Sequence, residues 1–387
     1  MFGWTVLISI IAIVVPVVHQ VFLAPIIRAA GLSYTVQNYG LNAEKCEKFE
    51  ELKGCEKIVL HQATGVLYLA CSTPENRLKW FPPAGSYETP VGEDYIATFD
   101  PRTSKITRLK LENFQLNGTV HGLDVVPSEK NPNELFVYLV NHRTRQDGLD
   151  PATVGADSVI QIFKTVVGGS TLSHITTFQD SAIIGPNDVT GFSDGKRFYF
   201  TNFVNKKTGF AHQLRAMFTT FSSVGYCHSD HGCKIVVPEL FGANGITKAS
   251  NGTIYVATTN GMELKMYEKQ EDASLISLES IRYTTPIDNL VLDKEGALWS
   301  AGFPKYMEIY NHIKDSSQPS SVCAWKLTMN TGEGSFYGER YKVQKVLENN
   351  GTIGSGSTTV VRDTERGLLF MHGLVAPYLT VCRDVEL

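Results

Sequence analysis

Hydrophobic and polar positions alternate in short runs along most of the chain, and one run recurs. It reads Gly65-Val-Leu-Tyr-Leu-Ala, Glu134-Leu-Phe-Val-Tyr-Leu, Lys196-Arg-Phe-Tyr-Phe-Thr, Gly252-Thr-Ile-Tyr-Val-Ala, Gly296-Ala-Leu-Trp-Ser-Ala and Gly367-Leu-Leu-Phe-Met-His. Successive starts lie 69, 62, 56, 44 and 71 residues apart. Each run follows a polar turn, such as Ser250-Asn251-Gly252, and a second alternating stretch, such as Gly245-Ile-Thr-Lys-Ala, so the pair reads as a hairpin. Further alternating stretches, Ser158-Val-Ile-Gln-Ile-Phe and Glu263-Leu-Lys-Met-Tyr, fall between copies. A repeat of roughly sixty residues holds four short strands and their turns. Six copies predict an all-β, six-bladed propeller over residues 31–387, in preference to a sandwich.

The N-terminus departs from this pattern. From Phe2 to Ile27 no side chain is charged, and Phe2 to Val18 is almost wholly apolar. That predicts a hydrophobic helix within residues 1–30. It reads as a cleaved signal peptide or an uncleaved signal-anchor, with a buried helix as the third alternative. Either of the first two sends the propeller to the lumenal or extracellular side, secreted or membrane-anchored. Sequons at Asn117, Asn251 and Asn350 agree with a secretory route. So do seven cysteines. Cys227 and Cys233 bracket one polar loop and form a candidate disulfide. Cys46 precedes the first copy and Cys382 follows the last, where a bridge would close the ring; the chain-entropy model gives about 5–6 kcal/mol for so long a loop. Cys55, Cys71 and Cys323 are left unassigned. A net charge of -4 without a Lys/Arg cluster excludes nucleic acid as a partner.

One position of the repeat carries chemistry. Where each first strand should begin stand Glu56, His121, Asn187-Asp188, Asn244 and Asp288-Asn289, with Ser357 in the sixth copy. If copies are blades, these side chains converge on the axis. Glu, Asp and Asn supply hard oxygens, the ligand type of Ca²⁺, whereas a Cys or His cluster for zinc is missing. The sequence has no Gly-x-Ser-x-Gly elbow, so a serine nucleophile is disfavoured.

The segments Cys46 with Gly54-Cys-Glu56, Val120-His-Gly-Leu123, Leu139-Val-Asn-His142, Pro186-Asn-Asp188, Phe198-Tyr-Phe-Thr-Asn202, Ala243-Asn-Gly-Ile246, Asp288-Asn289, Glu348-Asn-Asn-Gly-Thr352, Gly356-Ser-Thr and Cys382 resemble, in order and spacing, the paraoxonase/arylesterase family of calcium-dependent lactonases and aryl esterases. The resemblance implies a catalytic Ca²⁺ held by Glu56, Asn187, Asn244, Asp288 and Asn289. It implies His121 as general base on water, assisted by His142, and the Cys46–Cys382 bridge. It also implies a small ester or lactone as substrate and an N-terminus that binds membrane or lipid. Three departures stand out. Glu56-Lys57 replaces the family's Glu-Asp, so a second, structural calcium loses a ligand; the Lys57 ammonium is expected to take that place and pair with Asp188. Phe203 follows Thr201-Asn202 where the family has Asp. Gly302-Phe303 replaces Cys-His. Gluconolactonase-like or strictosidine-synthase-like enzymes, and a non-catalytic calcium-stabilised, membrane-tethered scaffold, are the competing readings.

Overall fold

The computed structural model describes residues 34–208, 220–332 and 340–385, with isolated positions at 12, 14–17, 27, 31 and 335. The predicted N-terminal helix and its membrane role fall outside the described residues; among those described, no helix is long and apolar enough to cross a membrane.

Six sheets form the blades of a β-propeller, antiparallel except where the edge strand Lys110–Glu112 of the second pairs parallel with Thr171–Phe178. Their inner strands are Cys55–His61, Thr119–Pro127, Pro186–Gly191, Ala243–Lys248, Ile287–Leu292 and Thr359–Asp363, and each packs against the next around the ring. The six recurring runs are the second strands, Val66–Cys71, Glu134–Arg143, Arg197–Asn202, Ile254–Thr258, Leu298–Gly302 and Leu368–His372. They are apolar because both faces of a blade are covered by its neighbours. The cores accordingly lie between blades: Leu60, Phe99, Phe370 and Val381 fill the gap between the sixth and first, and Val120, Leu139 and Phe163 belong to the next. Each such side chain contributes about 1.5–3 kcal/mol.

Ring closure is two-fold. Strand Cys46–Phe49, from before the first blade, pairs antiparallel with Leu379–Cys382 and completes the sixth sheet. The Cys46–Cys382 disulfide crosses that pair. Cys227–Cys233 closes its hairpin as expected. A third bond, Cys55–Cys71, joins the first two strands of blade one. Three disulfides fit a protein of an oxidising, extracellular environment. Cys323 is buried and free. The arm before Cys46 is tied to blade five: Tyr34 Oη donates to Glu348 Oε2 at 2.8 Å, Gln37 N donates to Glu348 Oε1 at 2.6 Å, and Tyr39 bridges to Glu348.

One segment had no counterpart in the repeat. Between the second and third strands of blade one, residues 72–94 leave the sheet and roof the ring with helix Pro74–Lys79 and the short hairpin Trp80–Phe81/Ser86–Tyr87. Thr119 Oγ1 donates to Trp80 O at 2.8 Å, Trp80 Nε1 donates to His142 O at 2.7 Å, and Val120 N donates to Asp94 Oδ2 at 2.8 Å.

Candidate functional site

Five of the six inner strands carry an extra residue in the register with their partner strand. The irregularities fall at Glu56, His121-Gly122, Asn187-Asp188, Asn244-Gly245 and Asp288-Asn289. The sixth inner strand pairs regularly throughout, and it is the copy without a candidate ligand. A β-bulge breaks alternation and re-aims a side chain, which explains why polar residues sit where a core strand begins. Glycine completes two of the bulges by letting the next blade come close. A Cβ on Gly122 would lie 2.4 Å from Asn187 O, and one on Gly245 2.6 Å from Asp288 O.

The sequence-predicted residues meet at this end of the axis. Asn289 Nδ2 donates to Glu56 Oε1 at 2.6 Å, and Asn187 Nδ2 contacts His121 Nε2 at 3.1 Å. Asn244 Nδ2 donates to Thr259 Oγ1 at 3.0 Å. The Glu56 carbonyl accepts from Thr358 and Thr359 Oγ1 at 2.9 and 2.8 Å, so the sixth blade braces the site through hydroxyls. Ser357 turns away, donating to Gly354 O.

Four oxygens of the expected ligands are left over. Glu56 Oε2, Asn187 Oδ1, Asn244 Oδ1 and Asp288 Oδ1 are buried and have no hydrogen-bond partner. Native proteins rarely leave such atoms unmatched. All four belong to the five residues expected to bind the ion, and all are hard donors, so the set fits a cation such as Ca²⁺. Among the described residues no three His, Cys, Asp or Glu side chains gather as a metal cluster; the expected set is two carboxylates and three amides. Burial pushes the Glu56 carboxyl up, and burial together with the Glu56 charge holds Asp288 well above the ordinary carboxylate range.

Lys57 is part of this centre. Its ammonium donates to Asp188 Oδ2 at 2.7 Å, to Asn289 Oδ1 at 3.1 Å and to Leu290 O at 3.3 Å, with side-chain exposures of 4% for Lys57 and 0% for Asp188. It therefore ties blade one to blades three and five. Asp188 Oδ2 also accepts from Ile246 N of blade four at 3.0 Å.

The histidines lie beside the oxygens and under the roof, His121 only 3% and His142 only 1% exposed. Their ring centres are 5.6 Å apart, and the Phe81 ring lies 5.4 Å from that of His121. His142 Nδ1 shares a hydrogen bond with Ser158 Oγ at 2.9 Å, directly across the strand pair. His121 Nδ1 and His142 Nε2 have no partner. Burial lowers both imidazoles well below the usual histidine range, with Arg77 adding repulsion at each. Ser158, Phe81 and Arg77 escaped sequence reasoning because none stands at the repeat position; only the roof and the cross-strand register bring them in. Asn202 serves structure, accepting from Ile184 N and Gly185 N. Phe303 is buried with its ring 6.1 Å from that of Tyr306.

Of the sequons, Asn251 and Asn350 are exposed, with only Oδ1 engaged. Asn117 is half-buried, and its Nδ2 donates to Thr144 O at 3.4 Å.

Fold and site together define a six-bladed propeller with one oxygen-rich, histidine-flanked centre on its axis. The chain belongs to the arylesterase family, whose model matches residues 95–378. It is 25% identical over 240 residues to human serum paraoxonase/arylesterase 1, covering 62% of this chain and 61% of that protein. It is 24% identical over 248 residues to human serum paraoxonase/lactonase 3, covering 62% of each. The match thus spans less than two thirds of either human relative. The rabbit (Oryctolagus cuniculus) serum paraoxonase/lactonase 3 is 25% identical over 278 residues, 69% of this chain and 70% of that protein. Among solved structures, a luciferin-regenerating enzyme superposes with a TM-score of 0.51 at 13% identity, over 87% of this chain and 94% of that one. That likeness concerns the fold.

Proposed function

We propose that the protein is a calcium-dependent hydrolase of lactones or aryl esters. The observation that carries this reading is the set of four unpartnered, buried oxygens beside two histidines kept neutral by burial. Glu56, Asn187, Asn244, Asp288 and Asn289 would hold the ion. Three carboxylates, Glu56, Asp188 and Asp288, face one ammonium, Lys57, which leaves an excess of two negative charges: the charge of one divalent cation rather than two. When bound, the ion would polarise the substrate carbonyl as a Lewis acid.

The histidines form a proton path. Asn187 Nδ2 donates to His121 Nε2, so that nitrogen carries the lone pair and Nδ1 carries the hydrogen. In the tautomer in which His142 donates from Nδ1 to Ser158 Oγ, its Nε2 lone pair is free. The two unpartnered ring nitrogens are therefore a donor and an acceptor of matching sense. His121 takes a proton from water at Nε2 once the Asn187 amide yields that position, and its Nδ1 proton can pass to His142. This path ends on a hydroxyl rather than a carboxylate, in keeping with Phe203 where the family has an acid.

The test is hydrolysis of an aryl ester and a lactone in the presence of calcium. His121→Gln is expected to lower kcat about a hundredfold or more, the typical worth of a positioned base. The base works as neutral imidazole, and burial depresses its pKa. Activity should therefore persist as pH falls past about 6.5, the free-histidine value, and decline only at lower pH. Activity indifferent to His121→Gln would remove the base from this reading. A correctly folded, calcium-loaded protein that hydrolyses neither substrate would favour a binding scaffold instead.

A further inference from the structure

Among the described residues, two cations close to the histidine pair make no ion pair. Arg77, on the roof helix, is buried, yet only Nη2 finds an acceptor, Gly54 O at 3.3 Å; Nε and Nη1 meet none. Those two nitrogens carry three of the five guanidinium N–H bonds. The acidic neighbour, Asp94, is already committed. Its Oδ1 accepts from Ser72 Oγ at 2.6 Å and Asn76 Nδ2 at 2.7 Å, and its Oδ2 accepts from Val120 N at 2.8 Å. A counter-charge role alone would pair the guanidinium with that carboxylate, which the structure does not do. The guanidinium carbon lies 5.7 Å from the Phe81 ring centre, and that ring is the one against His121. The charge is therefore one aromatic ring away from the base.

Lys207 is the second cation. It lines a cleft with His142, Ser158, Pro82 and Val204, and among the described residues its ammonium has neither a hydrogen bond nor an ion pair. The nearby carboxylate, Asp157, is engaged by Arg143 and Gln179. A buried or half-buried cation without a partner is costly, and such groups concentrate where a ligand supplies the partner.

We propose that Arg77 and Lys207 form an anion-binding path beside the histidines, and that the substrate is an ester or lactone whose acyl part carries a free carboxylate. The inference rests on the hydrolase reading above and narrows it. Because His121 and His142 are themselves covered, an entering substrate must part Trp80–Pro83 from blade two. Arg77 sits on the same roof, so that movement opens its donors as well. A neutral acyl group would leave both cations unmatched, whereas a carboxylate satisfies charge and N–H bonds together.

The experiment compares 4-nitrophenyl acetate with mono-4-nitrophenyl glutarate, which share a leaving group and differ in one carboxylate. In calcium-loaded protein the glutarate ester is expected to have at least about a tenfold higher kcat/KM, through a lower KM, with the preference shrinking as salt rises. Lys207→Met and Arg77→Gln should each reduce the ratio between the two substrates about tenfold, and Arg77→Lys should restore part of it. Thermal melting checks that each variant is folded; Lys207 is half-exposed and tolerates change if Arg77 does not. Equal kcat/KM for the two esters in the unmodified protein, or variants that lower both alike, would overturn the proposal. If neither ester is hydrolysed, the hydrolase reading fails. Calorimetry with glutarate then decides the anion path by itself: binding lost in Lys207→Met supports it, and no binding in the unmodified protein ends it.

Discussion

EGTA treatment is expected to lower ester and lactone hydrolysis about a thousandfold and to leave a folded propeller behind. The size of the loss follows from what the ion would supply, charge stabilisation at the substrate oxygen, where removal of one such donor costs about a hundred- to a thousandfold. None of the four leftover oxygens can replace it, since all are acceptors. Persistence of the fold follows from how the axis is built. Blades one, three and five are tied by the Lys57 ammonium, and the ring is shut by the Cys46–Cys382 bond and its strand pair, none of which needs a metal. The melting temperature should still fall, because an ion that binds only the folded state stabilises it by mass action. The experiment reads hydrolysis and circular dichroism on one EGTA-treated sample, followed by calcium add-back. Hydrolysis that survives chelation would remove the ion from the reaction. Loss of the β signal, irreversible on add-back, would show that the ion holds the ring as well.

The ring was legible because its repeat is set by a physical necessity. Every blade buries its second strand on both faces, so the same apolar run returns six times whatever the loops do. Glu56, His121, Asn187, Asn244 and Asp288 were legible for a related reason, since they interrupt that repeat at one phase. What the sequence conceals is the bulge. A regular hairpin that pairs Lys57 with Ala70 would set Glu56 opposite Cys71, and only the extra residue brings Cys55 to it. The Cys55–Cys71 bond was therefore unreadable from spacing, while Cys227–Cys233, also in a hairpin, was readable because nothing lies between but a short polar loop. The roof was hidden for another reason. Residues 72–94 follow no period, and their hold on the site is through backbone groups: Trp80 O, His142 O and Val120 N. Ser158 is ordinary within an alternating strand and gains its role only from standing opposite His142. Lys57 was visible as an oddity; that it reaches Asn289 and Leu290 O as well as Asp188 was not.

Lys57→Met is expected to cost about 3–5 kcal/mol of folding stability. The magnitude is that of breaking a buried ion pair from one side, which strands the remaining charge. Asp188 has no exposure, its Oδ1 is already unpartnered, and burial already raises its pKa with Lys57 as the main opposing influence. Losing the ammonium leaves Ile246 N as the sole donor to Oδ2 and frees Asn289 Oδ1. The Asp188 carboxyl then titrates higher, so the variant loses most at neutral and high pH and recovers as falling pH protonates it. Removing both charges in Lys57→Met/Asp188→Leu should cost clearly less than the two single changes added together, the signature of a coupled pair. Urea unfolding of the four proteins at pH 7 with excess calcium measures the cycle. Lys57→Glu is the sharper variant, because it turns the internal cation into a ligand. Direct metal analysis should find two calcium ions per chain in Lys57→Glu against one in the unmodified protein. Additive single-mutant costs, or one ion in both proteins, would mean that Lys57 only fills space on the axis.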